Sequence, residues 1–279
     1  MPTWFALFVA AMATLAGAIA AVAGTGVGSL VTPALSLRID MRDAVLAVAA
    51  PHLVLNALRF WSVRTSLSGK IFRRFGLTSA GGSLAGAFLQ HSVSSGSITA
   101  VFAVLLIIAA LFGLTGLADR VKFGRRGAYA GGALSGFFGG LTGEQGGLRA
   151  AAMLGLDLSK ETFVATATAT ALVVDAVRIP VYLATRWNEV PQVIAPAAVG
   201  VAGVVAGMFI GKQLFGRVPG DKFSRVVSAV LLLIGALLVV RLLVVSGKRT
   251  SASVSNHEDF DWMEKVSDEQ DHAAAVFAE

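Results

Sequence analysis

The 279-residue sequence contains no cysteine, which excludes disulfide bonds, thiolate metal sites and cysteine nucleophiles. It is also poor in charge, because only 14% of its residues are Asp, Glu, Lys or Arg, compared with about 25% in a soluble domain. Hydrophobic residues make up 55% of the chain, so water is not the solvent for most of it. No Lys or Arg precedes Arg38, and we therefore interpret the N-terminal segment as a membrane span and not as a cleaved signal peptide.

Long apolar segments divide the sequence into candidate membrane helices. A helix needs about 20 mostly apolar residues to cross a bilayer. Eight segments are of about this length or longer, at residues 4–35, 43–63, 75–91, 97–117, 127–154, 162–184, 191–215 and 224–246. The sequence therefore predicts an all-α integral membrane protein with eight transmembrane helices, located in the plasma membrane.

A self-comparison indicates that the chain is duplicated. Residues 15–59 align without a gap onto residues 134–178, and three glycines and Arg59 fall on identical residues 119 positions later. Internal repeats of this kind are typical of transporter folds. We predict a first transmembrane repeat at 1–118, a basic linker at 119–126, a second repeat at 127–246, and an acidic, disordered tail at 247–279.

The number of spans decides how the two repeats are related. Four spans in each half return the chain to its starting side and predict parallel repeats, whereas a re-entrant segment leaves an odd number and inverts them. In the eight-span layout, eleven Lys and Arg residues of the loops lie on the side of the termini and seven on the other. Since basic loops face the cytoplasm, this layout predicts that both termini are cytoplasmic.

Glycine clusters interrupt the first and fifth predicted helices at matching positions. They are Gly24-Thr25-Gly26-Val27-Gly28 and Gly143-Glu144-Gln145-Gly146-Gly147. Glycine is a poor helix former, so both clusters predict that a helix stops and restarts. A helix that restarts inside a bilayer presents unpaired N–H groups and a positive dipole end, which can bind an anion. The alternative is that these glycines only allow helices to pack closely.

Ionisable and polar residues inside the predicted spans are a second group of candidates. A charge at the bilayer centre costs about 2.5–3.5 kcal/mol on insertion scales, so each needs a partner or a polar cavity. Arg149 follows Gly147 by two residues, where its guanidinium and the helix N–H groups could bind one oxyanion. The alternative is that Arg149 extends to the membrane interface. Candidates for coupling or support are His52, Asn56, Arg59, Glu144, Asp175 and Arg178.

The roles within this second group stay open. Glu144, Asp175 or His52 could carry a proton if transport is proton-coupled. Asp175 and Arg178 are three residues apart on one helix face, so they could equally form a structural ion pair.

Three motifs resemble the sulfite exporter TauE/SafE family: GTGVGSLVTPAL at 24–35, GFFGGLTGEQGGLRAAAML at 136–154 and LSKETFVATATATALVVDAVRIPVY at 158–182. The resemblance extends over most of residues 5–246. It implies a secondary transporter that exports a small sulfur-containing anion, such as sulfite or an organosulfonate. It also implies that two half-sites bind the substrate, one lined by Gly143, Gln145, Gly147 and Arg149 and the other by Gly24, Gly28 and Pro33.

Two other functions are compatible with the same residues. A passive anion channel could use the same basic, glycine-broken centre. A membrane-embedded enzyme using His52 is a weaker alternative, because the spans contain no recognisable nucleophile motif. We expect no enzymatic activity and no cofactor, metal or nucleic-acid partner. The expected partners are a small anion and the lipid bilayer, whose anionic headgroups would face the basic loops, and a homo-oligomer is left open.

Overall fold

The computed structural model describes residues 1–23, 26–116, 124–154, 156, 158–214 and 225–244. All regular elements in these residues are helical, which confirms the predicted all-α architecture. The helices are α1 (Thr3–Ala23), α2 (Val27–Ser36), α3 (Met41–Val63), α4 (Gly69–Ser92), α5 (Ser95–Thr115), α6 (Arg125–Thr142), α7 (Gly146–Leu154), α8 (Lys160–Thr185), α9 (Val190–Leu214) and α10 (Arg225–Val244). Short 3-10 turns at Arg64–Ser66 and Trp187–Glu189 precede α4 and α9.

Residues Met1–Leu238 form one compact unit and Val239–Glu279 a second, of which the structure describes only 239–244. The predicted acidic tail at 247–279 and most of the predicted linker at 119–126 lie outside the described residues. Gly24 lies outside them as well.

Six helical stretches of the described residues are long and apolar enough to cross a membrane. They are Thr3–Ala21, Met41–Ser66, Ser95–Thr115, Lys160–Thr185, Trp187–Gly211 and Arg225–Val244. Helix α4 is long enough but carries Lys70, Arg73 and Arg74 in its first two turns, which makes it less apolar. Length and composition therefore support six spans, two fewer than the eight predicted.

Polar side chains define where several of these helices begin. Asp40 accepts a hydrogen bond from the Arg42 amide before α3, Ser94 from the Ser97 amide before α5, and Ser159 from the Thr162 amide before α8. Each bond satisfies one of the N–H groups that the first turn of a helix leaves without a partner.

Helix α2 folds back along α1. A Cβ added to Gly26 would lie 3.2 Å from Ile19 Cγ2 and 3.5 Å from the Ala16 carbonyl oxygen. Beyond the other end of α2, the Arg38 guanidinium carbon lies 4.5 Å from the centre of the Trp4 ring. Gly26 has a φ of 139°, which glycine adopts easily and other residues rarely do. Helices α1 and α2 therefore form an antiparallel hairpin whose two outer ends lie side by side.

Helix α7 folds back along α6 in the same way. Gly143, with a φ of 79°, follows the last residue of α6. A Cβ on Gly139 would lie 3.1 Å from Gln145 Cβ, and one on Gly131 would lie 2.7 Å from Ala152 Cβ, which is the register of an antiparallel hairpin. The helix stops and restarts where the glycines predicted it. The chain reverses direction at this point, however, instead of continuing across the membrane.

Each hairpin packs through glycines against one long helix, α1 on α9 and α6 on α4. A Cβ added to four of these glycines would lie only 1.9–2.5 Å from a carbonyl oxygen of the facing helix. The approaches are Gly82 to Ala133, Gly86 to Phe137, Gly207 to Thr14 and Gly211 to Ala18. Small residues allow membrane helices this close contact. Because Thr14 and Ala18 precede Ala133 and Phe137 by 119 residues, the two helix pairs pack in the same register.

Polar contacts bring several helix ends together at what we call the Asp43 end of the molecule. Asp43 accepts hydrogen bonds from Arg186 Nη2 at 2.6 Å and from Gln192 Nε2 at 3.3 Å. Asp40 accepts a short hydrogen bond from the Ser95 hydroxyl. Together with the contact of Arg38 with Trp4, these bonds gather the starts of α1, α3, α5 and α9 and the ends of α2 and α8.

The opposite end of the molecule carries the starts of α4 and α6. Lys70 and Arg126, from the first turns of these two helices, line the same surface cleft. We call this the Lys70 end. A cluster of buried apolar side chains lies between the two ends and includes Val9, Leu30, Val45 and Val204 from α1, α2, α3 and α9.

Candidate functional site

The turns of the two hairpins lie against each other. Ser29, in the first turn of α2, donates a hydrogen bond to Glu144 Oε2 at 2.6 Å. A Cβ on Gly28 would lie 2.8 Å from the Gly143 carbonyl oxygen and 3.1 Å from Glu144 Oε2, so only glycine allows this approach. The starts of α2 and α7 are therefore close together inside the protein.

Pro33 lies inside α2 and is buried. Since proline has no N–H, it cannot bond to the Ser29 carbonyl oxygen four residues earlier, as another residue in a helix would. Sequence reasoning placed Pro33 at the site but missed Ser29, which donates a hydrogen bond to Glu144 of the second hairpin.

The Glu144 carboxylate is bound at the start of α7. Its Oε1 accepts a hydrogen bond from the Gly146 amide at 2.9 Å, while the Glu144 amide donates to Thr142 Oγ1 at 3.2 Å. A carboxylate is stabilised at a helix N-terminus by the free N–H groups and by the helix dipole. Glu144 therefore occupies part of the position that the sequence predicted for an external anion.

Gln145 and Arg149 are buried beside this turn and have polar atoms without a protein partner. Their exposed fractions are 2% and 4%. Within the described part of the chain, Gln145 Oε1 and Nε2 and Arg149 Nη1 have no hydrogen-bond partner. Gln145 immediately precedes α7, and Arg149 lies four residues later in the first turn of that helix. Since an unsatisfied buried polar group costs about 1–3 kcal/mol, and a charged one more, this arrangement suits a bound polar ligand.

The charges around Arg149 leave the site positive. Asp175 and Glu144 favour the charged guanidinium, whereas Arg59 and Arg178 oppose it. Among the described residues, three arginines thus face two carboxylates. A small anion bound beside Arg149 would offset the excess.

Arg178, unlike Arg149, is fully engaged with the protein. Its Nε and Nη2 lie 3.0 and 2.8 Å from Asp175 Oδ1, and its Nη1 donates to the Gly139 carbonyl oxygen at 2.9 Å. The Tyr182 hydroxyl donates to the neighbouring Gly140 carbonyl oxygen. Arg178 and Tyr182 therefore fasten α8 to the last turn of α6. Tyr182 was not predicted from the sequence.

His52 and Asn56 of α3 reach the same carboxylate of α8. His52 Nδ1 lies 2.8 Å from Asp175 Oδ2, and Asn56 Nδ2 lies 3.4 Å from the same oxygen. Asn56 Nδ2 is also 3.0 Å from His52 Nδ1. When the proton of His52 is on Nδ1, both nitrogens are donors and cannot bond to each other, so each donates to the Asp175 carboxylate. Asp175 thus joins α3 to α8 at the centre of the protein.

Two predicted site residues are not brought into this network. Arg59 is partly buried one turn after Asn56, and no hydrogen bond or ion pair joins it to another described residue. A Cβ on Gly147 would lie 2.8 Å from Ala109 Cβ of α5. Gly147 therefore allows α7 to pack against α5, which is the packing role that the sequence left open for the glycines.

Threonine hydroxyls form a further set of unpaired buried groups that sequence reasoning missed. In the described residues, Thr32, Thr166 and Thr170 each have a buried hydroxyl without a hydrogen-bond partner. Thr168, in contrast, donates to the Val164 carbonyl oxygen at 2.7 Å, as threonines in helices often do. Thr166 and Thr170 are four residues apart and share one face of α8, and this spacing was a visible signal in the sequence.

A chain of apolar helices with two glycine hairpins and a buried cationic centre has the features of a polytopic membrane transporter. The family model described as Sulfite exporter TauE/SafE matches residues 9–238. The chain belongs to this family of membrane transporters, as its motifs indicated. Comparisons with curated proteins and with solved structures found no match.

Proposed function

We propose that the protein is a secondary transporter that exports a small sulfur-containing anion, such as sulfite or an organosulfonate, across the plasma membrane. The observation that carries this proposal is that Gln145 and Arg149 are both buried and that, among the described residues, both have polar side-chain atoms without a hydrogen-bond partner. Sulfite and sulfonates present three oxygens to such donors, and guanidinium groups form strong charge-assisted bonds to oxyanions. Membership of the TauE/SafE family supports this class of substrate.

We also propose a membrane arrangement of six complete crossings, α3, α4, α5, α8, α9 and α10. In this arrangement α4 crosses despite its basic first turns, whereas α1, although long and apolar enough to cross, forms a re-entrant hairpin with α2, as α6 does with α7. The first hairpin enters and leaves at the Asp43 end, and the second begins at the Lys70 end. The first half then starts at one face of the membrane and the second half at the other. Such halves are inverted repeats, the alternative that follows from an odd number of spans.

The Lys70 end is the cytoplasmic face in this proposal. Among described residues within Met1–Leu238, the helix ends and turns here carry nine basic residues: Arg64, Lys70, Arg73, Arg74, Arg125, Arg126, Lys160, Lys212 and Arg225. The Asp43 end carries three: Arg38, Arg42 and Arg186. Basic residues flank spans mainly on the cytoplasmic side, so the N-terminus would lie outside. The eight-span layout had Arg38 across the membrane from the N-terminus, which is incompatible with the contact of Arg38 with Trp4.

Alternating access would come from two bundles that rock against each other. One bundle contains α1, α2, α3 and α9, and the other contains α4, α6, α7 and α8, since these helices make their most extensive contacts within each group. The bundles meet through Asp175 with His52 and Asn56, and through Ser29 with Glu144. The Asp43–Arg186 pair joins α3 to the end of α8 and would close the Asp43 end in this state.

Glu144 is the carboxylate best suited to couple transport to protons. Asp175 is held by Arg178 and His52, which stabilise its charge, whereas Glu144 is bonded to the neutral Ser29 hydroxyl and Gly146 amide. A proton on Glu144 would remove a negative charge beside Arg149. It would also weaken the hydrogen bond that the Gly146 N–H donates to Glu144. An external anion could then take its place.

The test is sulfite efflux from liposomes containing the purified protein, compared with taurine, sulfoacetate and sulfate as substrates. We expect saturable efflux of at least one sulfite or sulfonate substrate, which responds to an imposed proton gradient and is absent from protein-free liposomes. The gradient distinguishes a coupled transporter from a passive channel. No flux of any sulfur-containing anion would contradict the proposed function.

A further inference from the structure

An open cleft of about 910 Å³ lies at the Lys70 end between α4 and α6. Its lining residues are Lys70, Arg73, Arg74, Leu77, Thr78, Arg126 and Tyr129. Four of these seven are cationic, and no described carboxylate lines the cleft. In the described part of the chain none of the four forms an ion pair. As far as the described residues show, the cleft is therefore a strongly positive surface without an acidic side chain of its own.

An apolar stripe extends from this cleft along α4. Leu77, Leu84 and Phe88 are 70%, 42% and 57% exposed, and their spacing of seven and four residues puts them on one helix face. Gly81 lies on the same face between Leu77 and Leu84. A Cβ added to Gly81 would have no atom within 4 Å, so the missing side chain leaves a shallow open groove.

The cations are not needed for the packing of the helices. The α1–α9 pair packs in the same glycine register as the α6–α4 pair. In that register Leu7, Ala195 and Ala198 correspond to Arg126, Lys70 and Arg73. Since the apolar version of the pair packs equally closely, the positive charge of the α4–α6 cleft requires another explanation.

We propose that this cleft binds the phosphate headgroup of an anionic phospholipid, with an acyl chain lying along Leu77, Gly81, Leu84 and Phe88. Basic pockets between membrane helices on the cytoplasmic face suit such headgroups, and each nearby Lys or Arg strengthens binding about fivefold. The apolar groove that continues from the cleft favours a lipid over a soluble phosphate. The bound lipid would hold α4 against α6, the helix pair that supports the second hairpin.

The experiment measures phosphatidylglycerol binding to full-length protein in nanodiscs of phosphatidylcholine, by native mass spectrometry and by the shift in Tm. Arg73→Gln with Arg74→Gln should weaken binding on the order of 25-fold. The matched control is Arg64→Gln with Lys160→Gln, which removes two exposed charges from the same end outside the cleft, and we expect at most a twofold change. An equal loss in both double variants would overturn the proposal.

Two further arms separate the lipid from other phosphates. Gly81→Trp should fill the groove and weaken phosphatidylglycerol binding while leaving all four cleft cations in place. Glycerol phosphate, the headgroup without acyl chains, should raise Tm much less than phosphatidylglycerol at equal concentration. If it raises Tm as much, or if Gly81→Trp binds the lipid like the wild type, the cleft is not a phospholipid site.

Discussion

Asn56 and Asp175 occupy the same position in the two aligned segments of the chain, 119 residues apart, and they contact each other, with Asn56 Nδ2 3.4 Å from Asp175 Oδ2. Residues related by a two-fold axis can meet only close to that axis. The contact therefore supports an axis between α3 and α8. It also reveals an asymmetry, because the carboxylate of Asp175 binds Arg178, whereas Asn56 offers Arg59 no carboxylate and no other described residue forms an ion pair with Arg59.

Arg178 and Arg149 should respond differently to removal. Arg178→Ala leaves the fully buried Asp175 without its guanidinium counter-charge and should reduce the free energy of unfolding by about 3–5 kcal/mol. Arg149→Ala removes a guanidinium with an unpaired nitrogen and should cost much less. Thermal unfolding of both variants in the same detergent tests this difference. Equal losses of stability would mean that Arg149 is a structural residue like Arg178.

Glu144→Gln should strengthen anion binding. The glutamine keeps a side-chain oxygen that can accept the hydrogen bonds from the Gly146 amide and the Ser29 hydroxyl, but it carries no negative charge to compete with an anion beside Arg149. The measurement is the Kd of an alkanesulfonate, whose own charge stays constant, in both proteins at the same pH. An unchanged or weaker affinity in Glu144→Gln would mean that the Glu144 charge does not oppose the bound anion.

Gly28→Ala should separate the two hairpin turns. The new Cβ would lie 2.8 Å from the Gly143 carbonyl oxygen, a backbone atom that cannot turn aside. We expect a loss of about 1–3 kcal/mol of stability together with a strong loss of transport. Gly69→Ala is the control, since its Cβ would meet no atom within 4 Å. Wild-type flux in Gly28→Ala would show that contact between the turns is not needed.

The absence of native cysteine makes the membrane arrangement directly testable. Single cysteines at Thr3 and Leu37 mark the two ends of the first hairpin, and one at Gly69 marks the Lys70 end. In intact cells, a membrane-impermeant maleimide should label the first two, while Gly69→Cys should react only after permeabilisation. Labelling of Thr3→Cys and Leu37→Cys from opposite faces would contradict the re-entrant hairpin. Labelling of both only from inside would reverse the proposed orientation.

The helix breaks could be predicted from the sequence because their cause is local. Gly26 and Gly143 adopt positive φ values that other residues rarely tolerate. The reversal of the chain could not be predicted, since the same glycines suit a helix that continues beyond a break. What establishes the reversal is a contact between Arg38 and Trp4, two residues far apart in the sequence.

The candidate site could be predicted only in part for the same reason. Charged or polar residues next to a glycine break in an apolar segment identified Glu144, Gln145 and Arg149 from the local sequence. Ser29 has no distinguishing feature in the sequence, because its role depends on the second hairpin reaching it. Gly147 has the same local signal as Gly143 but packs against α5, which only tertiary contacts can reveal.

The most direct test of the central claim is the affinity of purified protein for sulfite and for an alkanesulfonate, measured by calorimetry in the wild type and in Arg149→Ala. We expect Arg149→Ala to bind both anions about tenfold to a hundredfold more weakly, because a hydrogen bond to a charged group is lost. Arg42→Ala, a change at a partly exposed arginine of the Asp43 end, should bind like the wild type. Wild-type affinity in Arg149→Ala would contradict the claim that the buried arginine holds the anion.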